Sequence, residues 1–112
     1  MGETVSFASN GDTASGYLAK PASGTGPGVI VLQEWWGLAP QLKRVCDRLA
    51  AEGFVALAPD LYRGDIAEHT EMDKAGQLMS TLPPDRAAAD MEGAVDYLRG
   101  LPSVQNDKIG VI

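Results

Sequence analysis

Apolar positions crowd into three short blocks, "VIVLQ" (29–33), "FVALA" (54–58) and "KIGVI" (108–112), and between them three stretches set apolar residues three and four positions apart. A near-continuous, β-branched run of this length suits a strand covered on both faces, as in a parallel sheet, better than a half-exposed one. The spacing between the blocks is helical. Leu42, Val45, Cys46, Leu49 and Ala50 share a face, with Pro40 able to occupy the first turn and Gly53 the end. Met72, Ala75, Leu78, Met79 and Leu82 mark a second amphipathic helix closed by Pro83-Pro84. A third begins at Asp85 and turns Ala88, Met91, Ala94 or Val95, and Leu98 inward, with Gly100 after it.

The remaining segments punctuate this pattern. "VSFA" and "GYLA" flank "SNGDTAS", where Asn10-Gly11 supplies the positive φ angles of a tight hairpin turn. "KPASGTGPG", Lys20 to Gly28, reads as a loop, and Pro59 stops the second buried strand because it has no N–H to donate. "APDLYRGD" is then a loop at that strand's C-terminal end. The order hairpin, β, α, β, α, α, β predicts a mostly parallel α/β sheet flanked by helices and preceded by an antiparallel hairpin. Ending such a sheet on a bare apolar strand leaves an edge that invites association, so residues 1–112 are expected to be the N-terminal portion of one larger α/β domain. No repeat or linker suggests a second domain.

Composition narrows the function classes. One domain is the ceiling at 112 residues, and 45% hydrophobic with 21% charged residues is ordinary for a globular chain. A net charge of -6 without a basic block argues against nucleic acid as a partner. The opening "MGETVSFASNGD" lacks the pattern of a secretory signal and no apolar run approaches the ~18 residues of a membrane span, so a cytoplasmic protein without membrane contact is expected. The single cysteine, Cys46, excludes an internal disulfide, and with a single histidine, His69, no metal site is expected.

In open parallel sheets, reactive groups gather beyond the carboxyl ends of strands. Glu34 and Asp60 both stand there. Asp is a preferred turn residue, which accounts for Asp60 after Pro59. Glu34, followed at once by Trp35 and Trp36, is the stronger candidate, because burial beside indoles would perturb its protonation. The N–H just after a strand is free of sheet pairing and can donate to an oxyanion, which points to Trp35, while Trp36 can wall a pocket; at least one of the two indoles is expected to pack as core or lid. Cys46 lies mid-helix on the apolar face, where cysteine is a small inert hydrophobe. His69 reads as a solvated loop residue. Arg63 could hold an anionic substrate group bidentately or be plain surface. "GTGPG" precedes a strand and lacks GK[ST], so nucleotide binding gets little support.

"PGVIVLQEWWGL", "DRLAAEGFVALAPDLYRG" and "AAADMEGAVDYLRGLPSVQNDKIGVI" together resemble the N-terminal half of the dienelactone hydrolase (carboxymethylenebutenolidase) family, within the α/β-hydrolase fold. The likeness implies a cofactor-independent hydrolase of a small lactone or ester. Its nucleophile would be a cysteine in a G-x-C-x-G elbow that begins past Ile112, with the catalytic aspartate and histidine later still. It also implies that Glu34 corresponds to the buried glutamate that helps generate the thiolate, and that the Trp35 N–H is one oxyanion donor. Arg63 falls near the family's carboxylate-binding region without aligning residue for residue. A reading of another class is a non-catalytic half-domain that binds, or is completed by, another polypeptide such as the C-terminal half as a separate chain. A flavodoxin-like or receiver-like binding module shares the β-α-β pattern but finds no motif here.

Overall fold

The computed structural model describes residues 2–112. Five strands, β1 (Gly2–Ser9), β2 (Asp12–Ala19), β3 (Gly26–Ile30), β4 (Val55–Pro59) and β5 (Val104–Val111), form one sheet in the order β1-β2-β4-β3-β5. β1 and β2 make the expected hairpin, turning through Asn10 (φ 45°) and Gly11 (φ 81°), and β2 runs antiparallel to β4. β3 is parallel to both neighbours, β4 and β5, so three carboxyl ends emerge on one side.

Three helices cover the faces: α1 (Pro40–Ala51), α2 (Met72–Thr81) and α3 (Pro84–Gly100). The central strands are apolar throughout because alternate residues serve two cores. Val29, Val31, Ala56 and Ala58 pack with Cys46 and Ala50 of α1 on one face. Ile30, Val55 and Leu57 pack with Ala94 and Leu98 of α3, and with Phe7 and Leu18 of the hairpin, on the other.

Four expectations needed correction. β3 begins inside the segment expected to be a loop, at Gly26, and its ladder ends at Ile30 rather than at Gln33. Glycine is required there by close approach: a Cβ on Gly26 would lie 2.0 Å from the Gly53 carbonyl oxygen. β5 starts at Val104, four positions before the apolar block. The inward face of α3 is Ala87, Asp90, Gly93, Ala94 and Leu98, whereas Ala88 is exposed and Met91 only half-buried. Along α2, Ala75 is buried but Met72 and Met79 are 58% and 40% exposed, so most of the expected inner face meets no core. The α1 boundaries are as expected, with Pro40 at the start and Gly53 (φ 103°) following the last turn.

Candidate active site

Beyond β3 the chain keeps pairing for two residues. The Val31 N–H donates to Leu57 O at 2.9 Å and the Leu32 N–H to Ile112 O at 3.0 Å. Glu34 follows two residues later and opens a tight turn that closes where the Gly37 N–H donates to Glu34 O at 3.2 Å. Gly37 adopts φ 87°, and a Cβ there would stand 2.7 Å from Asp65 O and 3.0 Å from the Tyr62 ring. The turn is therefore glycine-bound for two reasons, backbone conformation and the segment lying against it.

That segment, residues 60–71, is a strap across the carboxyl edge of the sheet. Near its start, Gln33 Oε1 accepts the Leu61 N–H at 3.0 Å, tying the end of β3 to the loop after β4. On the α3 side, Arg63 (φ 52°) donates from Nε to Asp90 Oδ2 at 3.0 Å and from Nη2 to Asp90 Oδ1 at 2.7 Å, and Nη1 reaches Asp12 Oδ2 at 3.2 Å. Asp90 is fully buried, and the Ser9 hydroxyl also donates to it. A buried charge is tolerable only when paired in this way. On the α1 side, the Ala67 N–H donates to Trp36 O at 3.0 Å, and His69 meets the Trp36 ring edge-on at 4.6 Å and 61°. The Gln41 amide nitrogen lies 3.0 Å from His69 Nε2 and 3.2 Å from Nδ1.

Between the Glu34 turn, the first turns of α1 and His69 lies a cavity of about 210 Å³. Its wall is chiefly apolar, from Trp36, Ala39, Leu42 and Val45, and its polar groups are Glu34, Gln41 and His69. Among the described residues no acceptor meets the Trp35 N–H.

The structure thus joins Glu34, Trp35 and Trp36 in one turn but separates Arg63 from them in employment. The Arg63 guanidinium is engaged by two carboxylates, and its hydrogen bonds to Asp90 hold its pKa above the usual range. A substrate anion would have to displace a buried partner to reach it. Glu34 itself is exposed rather than buried, and Trp35 is 47% exposed. Neither indole enters the core; Trp36, half-buried, packs against the strap.

Other titratable groups behave as their types predict. Burial pushes the Cys46 thiol up to about 12, so at neutral pH it is an inert core group. Asp60 is the turn residue expected of it: Oδ2 accepts the Gly64 N–H at 2.8 Å. His69 is exposed as expected, but its ring contact with Trp36 and its reach to Gln41 carry no local sequence signal; nor does the role of Gln33. These pairings are 28 or 33 residues apart in sequence, beyond any periodicity. Among the described residues, no three His, Cys, Asp or Glu side chains group as a metal site, and no helix is long and apolar enough to cross a membrane.

Comparison with known proteins bears directly on this edge of the sheet. Residues 14–112 match the family model for the dienelactone hydrolase family. The chain is 44% identical to the usf protein of Aquifex pyrophilus and 38% identical to a candidate carboxymethylenebutenolidase of Aquifex aeolicus, in each case over 99% of this chain and 49% of the relative. Among solved structures, a candidate dienelactone hydrolase from Klebsiella pneumoniae superposes with a TM-score of 0.82 at 30% identity, over 99% of this chain and 48% of the other. The chain therefore spans about half the length of the relatives it matches. With the β1-β2-β4-β3-β5 sheet, its flanking helices and this match over almost the whole chain, the protein belongs to the dienelactone hydrolase family and has the α/β-hydrolase fold.

Proposed function

We propose that a polypeptide carrying this chain at the full length of its relatives hydrolyses a small lactone or ester through a cysteine that follows β5. One observation carries the reading. β3 and β5 are parallel neighbours in register, Ile30 opposite Val111, so the chain leaving Ile112 emerges beside the turn that holds Glu34 and Trp35. A thiol placed there would be within reach of the Glu34 carboxylate, which can accept its proton and leave a thiolate. The thiolate attacks the acyl carbon, and the oxyanion that forms on the carbonyl oxygen can accept a hydrogen bond from the Trp35 backbone N–H. Collapse breaks the acyl–oxygen bond, the leaving oxygen takes back the proton held by Glu34 as the alcohol departs or the lactone ring opens, and attack of water on the thioester then releases the carboxylic acid and restores the thiol. Trp36 and the apolar side of α1 wall the space in which the acyl group would lie. No cofactor enters these steps.

Two relatives' names lie close to this chemistry: carboxymethylenebutenolidase, and a dienelactone hydrolase-like promiscuous phosphotriesterase that is 25% identical. The test is Glu34→Gln in the full-length polypeptide. The carboxamide keeps the shape but cannot take a proton, so kcat/KM on a simple ester should fall about a hundredfold, within the range for general acid–base groups. Unchanged turnover across the pH range would remove Glu34 from the mechanism.

A further inference from the structure

The strap is gripped on two sides. Toward the site, Tyr62 and Asp65 lie against Gly37, the Ala67 N–H donates to Trp36 O at 3.0 Å, and His69 meets the Trp36 ring. On the other side, the Arg63 fork holds Asp90 of α3 through Nε at 3.0 Å and Nη2 at 2.7 Å, while Nη1 reaches Asp12 of β2 at 3.2 Å. Asp90 is fully buried and also accepts the hydroxyl of Ser9, the last residue of β1. β1 and β2 stand at the opposite edge of the sheet from β5.

Two features set this pair apart from a surface salt bridge. Arg63 adopts φ 52°, a left-handed conformation disfavoured for a residue with a Cβ, so the surrounding structure must hold it there. Asp90, moreover, has given up its water, and an apolar pair of similar volume commonly serves stability as well as a buried ion pair does. What an apolar pair lacks is direction. A planar guanidinium on a carboxylate fixes both distance and orientation.

We propose that Asp90 and Arg63 are positioning residues for hydrolysis: the pair fixes the pose of the strap, and the strap, through Ala67 and His69, holds the Glu34–Gly37 turn so that the Glu34 carboxylate and the Trp35 N–H keep one geometry. The inference rests on the hydrolase reading above. Neither side chain lines the Glu34 cavity, so the pair acts through the strap. Displacing a catalytic group by about 1 Å can cost up to about a hundredfold in rate. The loss falls on kcat when the displaced groups act on the transition state.

The test uses the full-length polypeptide and methyl butyrate, with urea unfolding of every variant. Asp90→Asn keeps the shape and removes the charge that the fork grips. Arg63→Lys keeps a charge and removes the fork. Each should lower kcat about tenfold with KM within about twofold of wild type, and amide exchange over residues 64–71 should quicken. Ser9→Ala takes a buried hydrogen bond from Asp90 and leaves the fork in place, so it should lose stability and keep kcat. If Asp90→Asn does not fold, Arg63→Lys against Ser9→Ala decides. Wild-type kcat in the folded Asp90→Asn or Arg63→Lys variant would overturn the inference, as would a fall in Ser9→Ala that matches theirs at equal loss of stability. A raised KM with unchanged kcat in Arg63→Lys would also overturn it, by making Arg63 a substrate ligand instead. In all of these outcomes the wild type turns over the ester and the hydrolase reading stands; no turnover by the wild type would overturn both.

Discussion

At the scale of the single residue, Asp60 shows how a turn and a titration are coupled. Its Oδ2 closes the turn after β4 on the Gly64 N–H, while Oδ1 is buried with no hydrogen-bond partner among the described residues. Desolvation of that half-buried carboxyl raises its pKa above 3.8, more than the N–H donors and Lys43 lower it. Because the folded value is raised, the fold holds the proton more tightly than the unfolded chain does. The contribution is full below the unfolded value of about 3.9 and is lost as pH rises through the folded value. Asp60→Asn keeps an oxygen for Gly64 and removes the charge. Urea midpoints of wild type and variant should diverge as pH rises from about 4 to about 7, the wild type losing ground. A difference that stays flat would show that Asp60 does not titrate differently in the fold. Asp12 works in the opposite sense: the Thr13 N–H and Arg63 hold its carboxyl below 3.8, so its small exposed contribution fades as pH falls.

At the scale of elements, glycine decides how closely α3 can lie on the hairpin. A Cβ at Gly93 would sit 2.3 Å from Ala8 O, a backbone atom that cannot swing aside, so the helix would have to lift. Gly76 in α2 has nothing within 4 Å of the same point. The same substitution should therefore take opposite signs. Gly93→Ala should destabilise by about 1–3 kcal/mol through overpacking, offset in part by helix propensity, whereas Gly76→Ala should stabilise by about 0.5–1 kcal/mol, both read from urea unfolding. Two destabilising results, or two stabilising ones, would contradict the packing. The contrast also explains what the sequence could reveal. The hairpin, the helices and the two-faced strands were legible because apolar spacing is a local code. The Glu34 turn was legible in place, at a strand end beside two indoles, but not in exposure. The α3 face was misread at Ala88 because its inward positions include Asp90 and Gly93, which answer to Arg63, 27 residues back, and to Ala8. β3 was misplaced for the same kind of reason: Gly26 and Gly28 look like loop residues until Gly53 and Ile109 press on them. His69 reads as solvated until Trp36 and Gln41 are brought to it.

At the scale of the molecule, the β5 edge of the sheet and the Glu34 cavity each leave surface exposed. β5 pairs with β3 along one side, and Val111 and Ile112 are 61% and 65% exposed at its end. The Glu34 cavity carries a carboxyl, and a backbone N–H without an acceptor stands beside it, but among the described residues no hydroxyl or thiol lines its wall; Cys46 is buried within the α1 core. A nucleophile, a proton acceptor and an oxyanion donor must be assembled together for acyl transfer. Produced as residues 1–112 alone, the polypeptide should hydrolyse methyl butyrate no faster than buffer, and should self-associate through the β5 edge. The backbone groups of an uncovered strand are a template for pairing, and its apolar end adds surface that water disfavours. Sedimentation velocity should show the mean sedimentation coefficient rising with concentration. Val111→Lys, which puts a charge on that edge, should shift the population toward monomer. Hydrolysis by this polypeptide that is lost on Glu34→Gln would mean that the nucleophile lies within these residues. A monomer at every concentration would mean that the edge is blunted by its own side chains.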